Sequence, residues 1–148
     1  MKKIFFTLMI VLNIITNSSA EEIKRIIVGN KDAKISIIAF ESLTCSHCAD
    51  FHKEVYPQLK NEYIDTGLAK IEFRHFPLDM AAFNASKISQ CKNDGESNIL
   101  NRLFLNQQKW VRGSTSEEAN ENLKKFLVEE GINVDFEACV NNKKIEDF

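Results

Sequence analysis

Proline and glycine are scarce in this 148-residue chain, with two and five copies. There is no internal repeat and no low-complexity tract, which argues against a linker-rich or fibrous protein. Basic charge is not in excess, and no stripe of lysine and arginine is interleaved with aromatic residues, which excludes a nucleic-acid binder. No apolar run reaches the roughly twenty residues that a membrane span needs. Strand-like alternation is also missing after Phe76, so the second half of the chain reads as helix only.

What is present begins with Lys2-Lys3, a largely apolar stretch from Ile4 to Ile15, and the small residues Ser18-Ser19-Ala20. That layout is a secretory signal peptide over residues 1–20, leaving residues 21–148 as the mature chain. Setting Lys2 and Lys3 aside leaves 17 basic against 21 acidic residues, a formal charge of −4. All four cysteines, Cys45, Cys48, Cys91 and Cys139, lie in the exported part. An even count in an oxidising compartment invites disulfides, with three possible connectivities.

Lys24 to Val28 and Ile35 to Phe40 read as strands around the turn Gly29-Asn30-Lys31-Asp32. The helix after Cys45 carries Cys48, Phe51, Val55 and Leu59 as one apolar stripe, and Pro57 is expected to kink it. Gly67 ends it, and Ala69, Ile71 and Phe73 alternate as a third strand. Asp79 caps a helix reaching about Lys92, which Asp94-Gly95 breaks. Ile99, Leu100, Leu103 and Phe104 stripe the next. Ser114 and Glu117 have capping-box spacing for a third, whose buried side is Leu123, Phe126 and Leu127 before Gly131. Asp135 caps a last helix with Phe136, Cys139 and Val140 inward.

The chemistry concentrates in Cys45-Ser46-His47-Cys48, directly behind the apolar run from Ile35 to Phe40. A strand that delivers two cysteines to the first turn of a helix builds a reactive dithiol. Free N–H groups and the helix dipole there favour thiolate over thiol. Cys45 is the nucleophile on this reading, and Cys48, one turn deeper, resolves the mixed disulfide. Two blander readings stand beside it. One is an inert Cys45–Cys48 bridge. The other is a zinc site of Cys45, Cys48 and His52 with Cys91 as a distant fourth ligand. His75 reads as a strand residue at the sheet margin rather than a ligand. Cys91 and Cys139, each on the apolar side of a helix, are either a structural disulfide or two buried thiols.

The stretch Ile37-Ile38-Ala39-Phe40-Glu41-Ser42-Leu43-Thr44-Cys45-Ser46-His47-Cys48-Ala49-Asp50-Phe51-His52 resembles the DsbA-like periplasmic thiol oxidoreductases, and Phe73-Arg74-His75-Phe76-Pro77-Leu78-Asp79 resembles that family's strand-to-insertion junction. The resemblance covers roughly residues 24 to 148. It implies an α/β thioredoxin-like fold with a helical insertion over about residues 80–148. It also implies that Ser46 and His47 set the redox potential. Ser46 stands where the family has proline, and Ala39 where it has a buried acid; Glu41, on the same strand face, is the substitute. Neither Pro57 nor Pro77 lies in the context of the family's cis-proline loop. The expectation is therefore a domain missing the cis-proline strand hairpin and final helix, which leaves the strand from Ile35 to Phe40 with an open edge.

The function implied is a monomeric periplasmic oxidoreductase that introduces disulfides into reduced exported proteins. A quinone-linked membrane oxidase would re-oxidise it, and no cofactor or metal is called for. The other reading is an impaired remnant, or half of a split gene, acting only by binding.

Overall fold

The structure, a computed structural model, describes residues 22–147; the signal-peptide expectation lies outside them. Three strands form one sheet: β1 (Ile26–Gly29), β2 (Ile35–Glu41) and β3 (Ala69–His75). The order is β1-β3-β2, with β1 antiparallel to β3 and β2 parallel to it, Glu41 opposite His75. Parallel neighbours need a crossover, and the helical stretch from Ser46 to Ile64 supplies it. The third strand is thus the central one, and His75 sits at the end of the middle strand rather than at the sheet margin. β1 and β2 need a tight exit after Val28: Gly29 has φ +110°, and a Cβ there would lie 2.9 Å from the Ala69 carbonyl oxygen. Only glycine fits both demands.

The crossover is not a uniform helix. It runs as α1 (Ser46–Asp50), a π-helical turn (Phe51–Val55), α2 (Tyr56–Leu59) and a second π-helical turn (Lys60–Ile64). Pro57 occupies the first turn of α2, where its missing N–H costs little. Of the stripe expected at Cys48, Phe51, Val55 and Leu59, Cys48, Phe51 and Leu59 pack half-buried against the core, and the wider turns shift its centre away from Val55. Most deeply buried are His52, Tyr56 and Ile64, while Val55 is exposed. An i→i+5 turn holds more residues than an α turn, so inward positions recur every four residues and not alternately every three and four.

The insertion consists of α3 (Met80–Gln90), α4 (Asn98–Leu105), α5 (Gln107–Trp110), α6 (Ser116–Glu129) and α7 (Phe136–Val140), followed by a 3₁₀ turn, Lys143–Asp147. Asp79 and Asp135 cap α3 and α7 by accepting from the Ala82 and Ala138 N–H groups. For α6 the cap falls one residue later than expected. Thr115 accepts from the Glu118 N–H, and Glu118 reaches back to the Ser114 N–H. α3 stops at Gln90, short of Lys92.

Ile71 and Phe73 from the sheet, Leu100, Leu103 and Phe104 from α4, Trp110 from α5 and Leu123 and Phe126 from α6 join a single buried cluster. Burying each such side chain is worth ~1.5–3 kcal/mol, so sheet and insertion stabilise one another as one core. Cys91, just after α3, is joined to Cys139 of α7 by a disulfide with Cα atoms 5.4 Å apart. Nearby, the buried Lys87 of α3 pairs with Glu146 at 2.9 Å. β2 has an unpaired edge among the described residues, and Ile35, Ile38 and Phe40 on it are exposed. No helix of the described residues is long and apolar enough to cross a membrane.

Candidate active site

β2 ends at Glu41, and the four residues Ser42 to Cys45 carry the chain to α1. Hydrogen bonds from three directions hold this loop. The Cys45 N–H donates to the Ser42 carbonyl at 3.0 Å, and the Phe76 N–H donates to the Glu41 carbonyl at 2.8 Å. Thr44 Oγ1 donates to Asp79 Oδ2 at 2.7 Å, and the Leu78 N–H donates to Ser42 Oγ at 3.3 Å. From the insertion, Gln107 Nε2 donates to the carbonyls of Leu43 and Cys45, each at 2.9 Å. Leu43 is fully buried, which plugs the loop into the core.

Cys45 is the N-cap residue of α1, with extended backbone (φ −77°, ψ 119°). Both Cys45 and Cys48 are free thiols and half-buried. The two sulfurs have unlike environments. The Cys48 N–H holds the Cys45 thiol below its ordinary range, helped by the Cys48 side chain and the His47 N–H and opposed by burial and Asp50. Burial pushes the Cys48 thiol up to about 11; the backbone of Ser42 opposes this, while Cys45 and Glu41 add to it. When the pair loses one proton, the negative charge therefore falls on Cys45, the outer sulfur, rather than on Cys48.

The remaining expected site residues are placed as follows. The Ser46 N–H opens α1. The His47 ring is 94% exposed, 3.9 Å from Asp50, so its backbone N–H and not its imidazole faces the sulfur. Glu41 is buried beneath the dithiol, with Oε2 2.8 Å from His52 Nε2. His52 stacks on Phe104 at 4.1 Å between ring centroids. Ala39, Phe40, Glu41, His47, Cys48 and Phe51 border an open cavity of about 270 Å³ beside Cys48.

The zinc set is not assembled. Cys91 is spent in its disulfide and the Nε2 of His52 faces Glu41. Among the described residues no group of three His, Cys, Asp or Glu side chains is placed to hold a metal ion. His75 also lies inward, hydrogen-bonded to Ser89 at 3.0 Å, and burial pulls its imidazole down to about 4.

One residue of this site, Gln107, is scarcely legible in the sequence, and His52, considered there as a metal ligand beside Cys45 and Cys48, has a different role as the partner of Glu41. Gln107 left only a faint trace, one amide in the otherwise apolar series Leu103, Gln107, Trp110.

A three-stranded mixed sheet, a dithiol at the start of the crossover helix and a helical insertion together define a thioredoxin-like fold. The family described as Thioredoxin matches residues 21–148, and the chain belongs to it. Within that family it is DsbA-like. It is similar to Wolbachia pipientis alpha-DsbA1, at 35% identity and a TM-score of 0.72, over 83% of this chain and 62% of that one. Bacillus subtilis BdbD shares the fold at 19% identity and a TM-score of 0.62, over 83% of this chain and 71% of that one. A Rickettsia conorii protein, named provisionally as a protein-disulfide oxidoreductase, is 30% identical over 122 residues, which are 80% of this chain and 43% of that protein. The chain thus spans less than half the length of that curated relative.

Proposed function

We propose that the chain is a thiol-disulfide oxidoreductase that passes its Cys45–Cys48 disulfide to reduced exported proteins. One observation carries this reading: Cys45 sits at a helix start with its thiol depressed, beside Cys48 with its thiol pushed up to about 11. A substrate thiolate attacks Cys45 Sγ of the oxidised pair, the Cys45–Cys48 bond breaks, and Cys48 leaves and takes up a proton. A second substrate thiolate then attacks the substrate sulfur of the mixed disulfide and expels Cys45 as thiolate. The substrate gains one disulfide, and the two electrons rest on the enzyme dithiol. A stabilised Cys45 thiolate stabilises this reduced form, which makes the disulfide a stronger oxidant.

Ser46 and His47 set that potential chiefly through the first-turn backbone, and Glu41 bears on Cys48 from below. The leader over residues 1–20 sends the protein to the periplasm, where it works as a monomer and a quinone-linked membrane oxidase restores the disulfide. The names of the Rickettsia and Wolbachia relatives support the reaction class. The test is oxidation of a reduced two-cysteine peptide by the oxidised protein. Cys45→Ser should abolish it, and Cys48→Ser should accumulate the mixed disulfide on Cys45. A pair that never cycles with glutathione overturns the proposal.

One observation favours a second reading, a protein that acts by binding alone: the open β2 edge with Phe40 61% exposed. Failure to cycle, combined with stable association with a partner strand along β2, would select it.

A further inference from the structure

We infer that Gln107 is a positioning residue for the Cys45 nucleophile, a clamp by which the helical insertion fixes the first turn of the redox helix. The inference rests on the oxidoreductase reading above and adds to it a residue 62 positions away in sequence.

Gln107 opens α5 and is buried, although its neighbours one turn away on either side, Leu103 and Trp110, are core residues. A buried carboxamide costs stability unless its polar atoms are satisfied. Its Nε2 carries two hydrogens, and two carbonyls of the same loop, Leu43 and Cys45, each lie 2.9 Å away. An amide nitrogen is planar, so its two N–H bonds point in fixed directions. Two acceptors two residues apart are thus held at one spacing and one orientation.

The Cys45 carbonyl also accepts the Ala49 N–H at 3.2 Å, the first hydrogen bond of the helical stretch. Gln107 occupies its other lone pair and so fixes the peptide plane between Cys45 and Ser46. The next two N–H groups, those of His47 and Cys48, are the ones that face Cys45 Sγ. Their aim depends on the orientation of that plane. Asp79, holding Thr44 from the other side at 2.7 Å, completes the restraint but touches neither carbonyl. Thr44, the one residue between Leu43 and Cys45, spends its hydroxyl proton on Asp79, so the donors for the two carbonyls come from outside the loop.

A residue that merely filled space here would change stability and leave the thiol alone. A clamp predicts more. In Gln107→Leu, which keeps the volume and removes both donors, the pH profile of Cys45 alkylation should move upward by about half a unit to one unit. The equilibrium constant with glutathione should shift about three- to tenfold toward a weaker oxidant. Gln107→Glu, when ionised, should move the profile upward at least as far as Gln107→Leu, because it adds a negative charge near the thiolate as well as removing both donors. Acidification should return part of the effect, since a protonated carboxyl restores one donor. Folded variants with unchanged alkylation profile and unchanged glutathione equilibrium would overturn the inference.

A measurement on the unsubstituted protein covers the case in which the variants do not fold. The Gln107 side-chain amide protons, followed by NMR, should move with Cys45 titration and differ between dithiol and disulfide forms. If they are indifferent to both, Gln107 is structural only. These readouts concern the Cys45 thiol itself, so a failure to oxidise substrate peptides would sink the proposed function without deciding the role of Gln107.

Discussion

His52 Nε2 and Glu41 Oε2 lie 2.8 Å apart under the dithiol, both buried, one from the crossover helix and one from the end of β2. On its other side the His52 ring stacks on Phe104, and among the described residues its Nδ1 has no hydrogen-bond partner. The pair joins the end of β2 to the crossover helix, and the stacking on Phe104 extends the contact to the insertion.

Breaking such a pair is expected to cost more than deleting it. His52→Leu leaves the Glu41 carboxylate buried without its partner and should lower stability by about 3–5 kcal/mol. The double variant Glu41→Leu with His52→Leu should lose less than the sum of the two single changes, because no orphaned charge remains. Urea denaturation of the four proteins measures this. Equal, additive losses would show that the two side chains do not interact. In Glu41→Gln the Cys48 thiol should fall below about 11 yet stay above the ordinary thiol range, since burial, not Glu41, is the first cause of its rise.

The Cys91–Cys139 disulfide spans 48 residues and ties α3 to α7. Alkylation of the native, unreduced protein followed by mass spectrometry should leave both cysteines unmodified. Replacing both with alanine should lower stability by ~4 kcal/mol, the value for closing a loop of this length in the unfolded chain. Two alkylated cysteines at these positions would rule the bond out.

His75 makes the fold acid-sensitive. Its imidazole is pulled to about 4 by burial, from an ordinary value of 6.5. Between those values the unfolded chain binds a proton that the native one does not, so stability should be complete above pH 6.5 and decline as pH falls toward 4. Below that the contribution is gone. The loss should reach roughly 3 kcal/mol. His75→Asn should flatten the decline in thermal melts taken across this range; an unaltered slope would assign it to other groups.

The edge of β2, unpaired among the described residues, should make the chain aggregate at concentrations well above those at which it works as a monomer. Ile38 and Phe40 project from the same face of that strand, and both are exposed. Phe40→Lys places a charge on the edge, a common protection against strand pairing. Light scattering at rising protein concentration should show less aggregate for this variant than for the unsubstituted chain. An identical concentration dependence would place the sticky surface elsewhere.

The parts of this protein that could be read from sequence are those whose physics is local. The strand before Cys45, the dithiol at the helix start, the caps at Asp79 and Asp135 and the stripes through Leu103, Phe104, Leu123 and Phe126 all depend on residues within a few positions of one another. For that reason Cys45 and Cys48 are legible in the sequence itself, while Glu41 enters only through the family resemblance. The capping box at α6 slipped by one residue because Ser114-Thr115 and Glu117-Glu118 offer two equivalent spacings, and packing chooses between them.

What tertiary structure alone decided concerns partners distant in sequence. The π-helical turn at Phe51–Val55 carries His52, for which the sequence offered a metal-ligand role only as an alternative, inward as the buried partner of Glu41. The strand order placed β3, with His75, in the middle of the sheet. Cys91 met Cys139 across 48 residues, and Gln107 reached the Leu43 and Cys45 carbonyls from more than sixty residues away. A chain's own pattern specifies which face of an element is apolar, since that follows from its period. It carries no record of which polar group will satisfy a particular buried carbonyl or carboxylate, because that choice is made only when the elements close on one another and water leaves.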